Sequence, residues 1–307
     1  MGELRALAAL AAIATVAAAH GKGPAATPIT ACGQTVTTNA VLTKSLSCTG
    51  PGIVVGAGGI TIDLKGFTIR GDRASDLVSD DTGVDDAGGY GNVTIEGGSI
   101  RDFHFGVYAS GHHVLVSHVT VFGCDTGISL QGKGSSVTSS TAVKNTNYGI
   151  ALHAADASVV SSTAIANGIG ILAVGPSVSV RKSTLSGNVL LGLEVHGDAA
   201  SVDSSIVSWN GADRTGAAVN DGAITVVGDA ASIRSSLVIG NGTNGIYVDG
   251  NAALLSKNRV AENGYPHGYP THKALGIVVA GFTTPPTGRN AAHGNDDPAE
   301  CSPASLC

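Results

Sequence analysis

The chain has 307 residues, of which 43% are hydrophobic, 13% charged and 4% aromatic, and 44 are glycine. Substantial hydrophobicity with few charges excludes an intrinsically disordered chain, and a formal net charge of -6 offers no basic surface for nucleic acid. The residues available for packing are Val, Ile, Leu and Ala, accompanied by many Ser and Thr. This composition is typical of short β-strands joined by frequent turns, so it predicts an all-β protein.

The first element is a predicted secretory signal peptide over residues 1–19. Arg5 precedes an apolar run that ends in three alanines, which provide a small-residue cleavage site. The run has about 14 residues and is too short to span a bilayer. A buried N-terminal helix is the alternative. Because no later segment is a candidate membrane span, we expect a mature protein that is secreted, periplasmic or on the cell surface.

Cysteines mark both ends of the mature chain. Residues 20–52 are predicted to form an N-terminal lead-in or cap that contains Cys32 and Cys48, and residues 282–307 a C-terminal tail or cap that contains Cys301 and Cys307. In an exported protein we expect each pair to form a local disulfide that holds an end of the fold, although sequence alone does not prove the connectivity. Cys124 is left over and is predicted to be a packed thiol.

Residues 53–281 repeat a glycine followed by an aliphatic residue. Successive aliphatic members are 23, 21, 22, 21, 22, 31, 22 and 31 residues apart: Val84, Val107, Ile128, Ile150, Ile171, Leu193, Ile224, Ile246 and Ile277. A second series shares this spacing: Asp102, Cys124, Asn145, Asn167, Asn188, Asn210, Asn241 and Asn263. Shared periods indicate a solenoid, here a parallel β-helix of about nine coils with ~22 residues per coil. A leucine-rich repeat has a similar period, but the chain lacks its leucine consensus and any helical periodicity.

Within a coil, side chains around the motif should alternate between core and solvent. We expect Ile150 and Leu152 to point inward and Ala151 and His153 outward. The recurring asparagines should stack at one turn, because Asn tolerates left-handed backbone and its amide can hydrogen-bond to the copies above and below. A recurring serine is predicted to be structural in the same way: Ser140, Ser162, Ser183, Ser205 and Ser236.

The segment from Ile60 to Ile69, ITIDLKGFTI, resembles the opening coil of bacterial right-handed parallel β-helix repeat proteins, which share the pectin-lyase-like fold. The lead-in that starts at Cys32 (CGQTV) and the tail between Cys301 and Cys307 resemble secreted members of that group. The resemblance covers roughly residues 30 to 307 and implies a right-handed β-helix. The group includes lyases, hydrolases, epimerases, tailspikes and adhesins. Sequence motifs typical of polygalacturonases and pectate lyases are absent from this chain.

Three coils carry extra residues at the same point, after the stacked turn and before the Gly-aliphatic strand: 72–82, 211–221 and 264–273. Insertions on one side of a solenoid often mark a binding surface. Outward positions beside them mix aromatic, carboxylate and imidazole groups, a blend that suits sugars, whereas an ordinary solvated sheet face is the alternative. The ligand-binding candidates are Tyr108, Trp209, Tyr247, Asp249, Tyr265, His267 and Tyr269.

Two further hypotheses concern chemistry. The acidic first insertion gives Asp80, Asp81 and Asp85 as calcium candidates, with a solvated acidic loop as the alternative, and no other cofactor is predicted. Catalytic candidates, able to act as a base and a proton donor, are His153, Glu194 and His196, although no Arg or Lys accompanies them on that face.

The sequence therefore predicts a secreted β-helix protein that binds a polysaccharide or a surface protein along one flank. A carbohydrate-active enzyme (a polysaccharide lyase, glycoside hydrolase or uronate epimerase) is the first alternative. A purely structural surface scaffold is the second.

Overall fold

The computed structural model describes residues 26–73, 81–211, 222–264 and 274–307, so the predicted signal peptide over residues 1–19 lies outside the described residues. The described residues form a right-handed parallel β-solenoid. Twelve successive strands of one sheet correspond to about eleven turns. The predicted count of about nine was too low. Within these ranges no helix has the length and apolar character needed to cross a bilayer.

One sheet, which we call the front sheet, contains twelve strands of the described chain, numbered in chain order with the strands of the other sheet. It comprises β2 (Gln34–Val36), β5 (Ile53–Val55), β8 (Thr82–Asp86), β10 (Phe105–Ala109), β12 (Thr126–Leu130), β15 (Tyr148–Leu152), β18 (Ile169–Val174), β21 (Leu193–His196), β24 (Gly222–Val227), β27 (Asn244–Asp249), β30 (Ile277–Ala280) and β32 (Cys301–Ser302).

The other sheet is the back sheet. It comprises β1 (Thr27–Ile29), β3 (Ala40–Leu42), β4 (Leu46–Ser47), β6 (Thr61–Asp63), β7 (Thr68–Arg70), β9 (Thr94–Arg101), β11 (Leu115–Phe122), β13 (Ser136–Thr138), β14 (Thr141–Val143), β16 (Ser158–Val160), β17 (Thr163–Ile165), β19 (Ser179–Arg181), β20 (Thr184–Ser186), β22 (Ser201–Asp203), β23 (Ile206–Ser208), β25 (Ser232–Arg234), β26 (Leu237–Ile239), β28 (Leu254–Ser256), β29 (Arg259–Ala261) and β31 (Ala291–His293). From β2 to β27 each front strand is followed by two back strands, or in two coils by one long strand; β1 precedes β2, and only β31 follows β30. A short 3-10 helix follows at Ala304–Leu306.

The aliphatic members of the repeat form a core column. Val107 pairs with Ile128 and Ile128 with Ile150, and all three side chains are completely buried. Leu193 still pairs with Ile224 although the step is 31 residues, and the extra residues fall in the sequence between the back strand β23 and the front strand β24. The other two insertions begin and end at that same corner, after β7 and after β29.

The asparagines form a buried ladder, as predicted. Asn145 donates its side-chain amide to Asn167 Oδ1 at 2.9 Å, and Asn167 donates to Asn188 Oδ1 at 3.1 Å. Each Oδ1 also accepts the backbone N–H of the asparagine one coil earlier. The amides therefore satisfy backbone groups that would otherwise be buried without partners.

Two details of the predicted ladder were wrong. The left-handed backbone belongs to the residue before each asparagine, such as Lys144 with φ 54° and Ala166 with φ 57°. Asp102 also has φ 59° and therefore occupies this preceding column, so the ladder position of its coil is the fully buried Phe103. The Asp102 carboxylate instead pairs with two arginines of the back sheet at the surface.

Glycine precedes the aliphatic residue because the coils approach closely at that point. A Cβ on Gly149 would lie 2.6 Å from the Gly170 carbonyl oxygen of the next coil and 2.7 Å from the Asn167 side-chain nitrogen. No side chain fits between these atoms. The Gly-aliphatic motif is therefore the consequence of stacking a glycine against the ladder.

The remaining structural expectations concern serine and cysteine. Ser140 Oγ accepts the Val119 N–H and donates to the Thr138 carbonyl, and serines of later coils repeat the pattern. Disulfides join Cys32 to Cys48 and Cys301 to Cys307, as expected. Cys124 is a buried free thiol whose pKa is raised to about 12 by burial, and its N–H donates to the first asparagine of the ladder.

Candidate functional site

The front sheet presents a continuous row of outward side chains, one from each coil. Asp85 lies beside Tyr108, Tyr108 beside Ser129, and Ser129 beside Ala151 in the strand register. Ser129 and Ala151 are 2% and 1% exposed, although they alternate with the inward column. The outward positions therefore differ in accessibility, and the half-exposed Asp85 and Tyr108 offer more surface than their small neighbours.

Aromatic side chains meet at one end of this row. The Phe105 and Tyr108 rings lie 5.4 Å apart, centroid to centroid, and the His104 ring packs edge-on against Phe105 at 4.8 Å. Tyr148 occupies the same register position as Phe105 two coils further on, with Thr126 between them. We call Phe105, Tyr108 and Tyr148 the aromatic patch. All three are half-exposed.

Hydrogen-bonding groups border the aromatic patch. Asp85 Oδ1 accepts the Ala87 N–H, and burial raises the pKa of Asp85 above its usual value. On the other side, the Gln131 amide donates to Ser129 Oγ at 2.9 Å and lies 3.1 Å from His153 Nδ1. Burial lowers the pKa of His153. At neutral pH the His153 ring is therefore uncharged, and the patch is bordered by a carboxylate and neutral polar groups.

The corner between the back strands and the next front strands, at which the insertions begin in the sequence, carries a second polar cluster; we call it the insertion corner. Asp125 accepts hydrogen bonds from Thr146 Oγ1 at 2.7 Å and from the Asn147 amide at 2.8 Å. Its carboxylate lies 4.0 Å from His104 Nε2. This cluster links the corner to the edge of the aromatic patch through the contact between His104 and Phe105.

The calcium candidates are divided between described and undescribed residues. Asp81 is buried, its Oδ2 accepts the His104 N–H, and burial raises the pKa of this carboxyl group. Asp85 lies on the front sheet, and Asp80 lies outside the described residues. Within residues 26–73, 81–211, 222–264 and 274–307, no three His, Cys, Asp or Glu side chains come together in a way that would hold a metal ion.

The catalytic candidates form a pair and a separate residue. Glu194 Oε1 and His196 Nε2 lie 2.7 Å apart on β21. His153 lies two coils away, since Val174 stands between His153 and His196 in the outward row. On either side of the pair the register places apolar or neutral side chains, including Leu172 and Thr225. His153 contacts Gln131 instead of the pair.

The ligand-binding candidates are scattered. Tyr108 lies in the aromatic patch, whereas Tyr247 is only 7% exposed, so its ring offers little surface for stacking. Asp249 lies half-buried at the end of β27. Trp209 is 64% exposed at the insertion corner, with its ring over Gly240. Three candidates lie outside the described residues: Tyr265, His267 and Tyr269.

Alternation counted only forward from the Gly-aliphatic motif does not reveal Phe105 and Tyr148. Each lies two residues before the aliphatic member; the partial exposure of both rings and the contact of Phe105 with Tyr108 put this position on the outward face. The signal was present in the sequence as an aromatic residue before the motif. Asp86 was also missed: it occupies an inward, otherwise apolar column and accepts the Tyr90 and Gly111 N–H groups.

Comparisons with known proteins address the fold. The family model described as "Right handed beta helix region" matches residues 29–190. Among curated proteins, no sequence matches the chain.

Three solved structures illustrate the likeness. Pectate lyase Pel9A is 15% identical, with a TM-score of 0.40, over 91% of this chain and 69% of its own. The mannuronan C-5 epimerase AlgE4 A-module of Azotobacter vinelandii is 13% identical, with a TM-score of 0.47, over 87% of this chain and 81% of its own. The Agl-KA catalytic domain is 11% identical, with a TM-score of 0.52, over 87% of this chain and 58% of its own.

At 11% identity the Agl-KA domain bears on the fold alone, and the two structures with TM-scores below 0.5 carry no argument about this chain. The family match is of a different kind, because it spans more than half of the chain and coincides with stacked coils from β2 to β20. The ladder, the core column and the parallel register explain that match in physical terms. The protein belongs to the right-handed β-helix family.

Proposed function

We propose that the protein binds a polysaccharide along the outward face of the front sheet, with the aromatic patch as its principal contact. The observation that supports this most directly is the pair of half-exposed rings, Phe105 and Tyr108, 5.4 Å apart. Aromatic rings pack on the apolar faces of sugars, while nearby polar groups hydrogen-bond to hydroxyls. Asp85 and Gln131 are partly exposed polar groups at this place.

The repetition along the cylinder favours an elongated ligand. Equivalent positions recur about every 4.8 Å from coil to coil, so Phe105 and Tyr148 are about 10 Å apart. A linear polymer can contact several coils at once and gain affinity from repeated weak contacts. A small molecule would use only one part of this surface.

We place this activity outside the cytoplasm. The chain forms two disulfides. Disulfides persist in oxidising compartments and are rare in reducing ones. The arginine and apolar run at the N-terminus support the same location.

The test is an alanine substitution on each face. We expect Tyr108→Ala to weaken binding to the recognised polysaccharide by about tenfold, because the ring's stacking surface is lost. Phe122→Ala is the matched control: Phe122 is a half-buried aromatic residue on the back sheet, with Arg101 5.2 Å from its ring centroid. Affinity is measured by calorimetry after a glycan array has identified a ligand. Equal losses in both variants, or no loss in Tyr108→Ala, would contradict the proposal.

The same preparation distinguishes binding from catalysis. The protein is incubated with neutral and uronate polysaccharides, and unsaturated-uronate absorbance and reducing ends are followed. We expect binding without product. If product forms and Glu194→Gln abolishes it, the protein is an enzyme and the pair of Glu194 and His196 is its catalytic centre. If the glycan array shows no binding and the assay shows no product, a protein partner or a structural role is the better explanation.

A further inference from the structure

Charge is distributed unevenly between the two sheets. The described strands of the front sheet contain no Lys or Arg, while the back-sheet strands contain five arginines: Arg70, Arg101, Arg181, Arg234 and Arg259. The front strands instead carry Asp85, Asp86, Glu194 and Asp249. Asp86 is buried, so the outward face that carries the aromatic patch has Asp85, Glu194 and Asp249 and no Lys or Arg in its described strands, and it is therefore anionic.

The carboxylates on the front sheet differ in how they are used. Asp86 points inward and accepts two backbone N–H groups, so it is committed to the fold. Glu194 is paired with His196 at 2.7 Å. Asp85 faces outward beside Tyr108, and the hydrogen bond it accepts comes from the backbone N–H of Ala87. The carboxylate nearest the aromatic patch therefore has no cation of its own in the described strands.

Two cations in the turns that flank front strands already have partners. Lys133 lies 3.2 Å from Asp156 at the turn after β12. Arg73, at the insertion corner, donates to the Gly123 carbonyl. Both cations therefore have polar partners of their own.

A polymer of uronic acids would bring a carboxylate with every residue. Laid along the front sheet, it would face Asp85, Glu194 and Asp249 without a fixed cation in the strands to neutralise it. Bringing like charges together on a partly desolvated surface is strongly unfavourable, so this repulsion would exclude acidic ligands from the front sheet and make binding specific. A ligand with hydroxyl, acetamido or amino groups meets no such repulsion.

Resting on the proposed function, we infer that the ligand is a glycan that carries no acidic groups, either a neutral polymer or one of amino sugars, and that the front sheet rejects polyuronates. The sugar hydroxyls would pair with Asp85 and Gln131 beside the aromatic patch. An ammonium group, where the sugar has one, would gain an additional attraction to Asp85.

The experiment compares oligosaccharides of matched length on the full chain by calorimetry at low and at physiological salt. The probes are oligogalacturonate, cello-oligosaccharide, chitin oligosaccharide and chitosan oligosaccharide. We expect oligogalacturonate to bind at least about tenfold more weakly than the best neutral or amino-sugar probe, with the difference narrowing as salt screens the carboxylates. A strengthening of the chitosan probe at low salt identifies the amino-sugar case.

Charge variants locate the effect. Asp85→Asn keeps an oxygen that can accept the Ala87 N–H, so the fold should tolerate it, and we expect it to improve oligogalacturonate binding relative to the neutral probes. Asp203→Asn removes the same charge from the back sheet, where Asp203 stands between Arg181 and Arg234 in the register. It should leave the ratio unchanged.

The outcomes separate this inference from the proposal on which it rests. If oligogalacturonate binds most tightly and Tyr108→Ala weakens it, the front sheet binds glycans but the charge inference is wrong. If Asp203→Asn changes the ratio as much as Asp85→Asn, selection by the front sheet is likewise refuted. If no probe binds, the proposed function itself is wrong, and the charge inference that rests on it is wrong with it.

Discussion

The front and back sheets are built from the same coils but differ on their outward faces. Inside, both contribute aliphatic columns, and both are held by the same buried ladders of Asn and Ser. Outside, the back sheet presents arginines and rows of hydroxyl side chains such as Thr141 and Thr163, whereas the front sheet presents aromatic, carboxylate and imidazole groups. The interior therefore accounts for the fold, and the outward difference is where function should be sought.

The largest expected effect concerns the interior that both faces share. Asn167→Ala removes the acceptor for the backbone N–H and the side-chain amide of Asn145, and the donor to the Ala142 carbonyl. Leaving buried polar groups unpaired should cost about 4 kcal/mol of the free energy of unfolding. The measurement is the denaturant midpoint followed by circular dichroism.

The control for this prediction is the exposed Asn147. Its amide donates to Asp125 at the insertion corner, and Asn147→Ala should cost less than about 1 kcal/mol because water can replace it. If both variants lose the same stability, the buried ladder does not hold the coils together. If Asn167→Ala reduces binding by the same fraction as it reduces the folded population, the ladder stabilises the whole coil and has no separate effect on the front sheet.

The second prediction separates the glycines of the front strands from those of the turns. Gly149→Ala should cost about 3 kcal/mol, because its Cβ would meet the Gly170 carbonyl and the ladder at Asn167. At Gly187 the backbone has φ 62° and nothing lies within 4 Å of the added Cβ. Gly187→Asn should therefore be tolerated, since Asn adopts this conformation readily. Thermal unfolding of both variants provides the measurement, and equal melting temperatures would contradict the packing argument.

A third prediction concerns the outward carboxylate beside the aromatic patch. Burial raises the pKa of Asp85, so the folded protein favours the protonated form. The stability from this preference is fully present below the unfolded pKa, about 3.9, and is lost as pH rises through the folded pKa. We expect Asp85→Asn to gain stability over the wild type as pH increases from about 3 to about 7. Denaturant midpoints over that range test the sign, and a difference that is constant with pH would show that the carboxylate is well solvated.

The sequence was sufficient for the fold because stacking repeats each inward requirement once per coil. The Gly-aliphatic motif, the asparagine ladder and the recurring serine each follow from one close contact between coils, so three separate residue patterns show the same period. Errors arose where a coil departs from the repeat. Phe103 fills the ladder position in its coil, so the sequence pattern assigns that position to Asp102 instead. Cys301 takes the aliphatic position in the last front strand, so the Gly-aliphatic motif does not reveal that coil.

The candidate site was less predictable because outward positions are not repeated. Alternation identifies Tyr108, but the Phe105 ring that contacts it comes from a position before the motif in the same strand. The place of Tyr148 relative to these rings depends on the register of neighbouring coils. The sequence pattern also does not show how far an outward side chain is buried. Tyr247 lies in the same outward row as Tyr108 yet is only 7% exposed. Accessibility depends on the size of neighbouring side chains, which a single-row pattern does not contain.

The smallest expected effect distinguishes the aromatic patch from the insertion corner. Trp209 is the single tryptophan of the chain and is 64% exposed, so its fluorescence reports on that corner. It precedes β24, whose Thr225 lies five coils from Tyr108 along the outward row, a distance of about 24 Å. A short oligosaccharide bound at the aromatic patch should therefore leave Trp209 emission and its quenching by iodide unchanged, while calorimetry still detects binding. A blue shift with reduced quenching, retained in Tyr108→Ala, would place the ligand at the corner, because only contact with the ring would remove it from water.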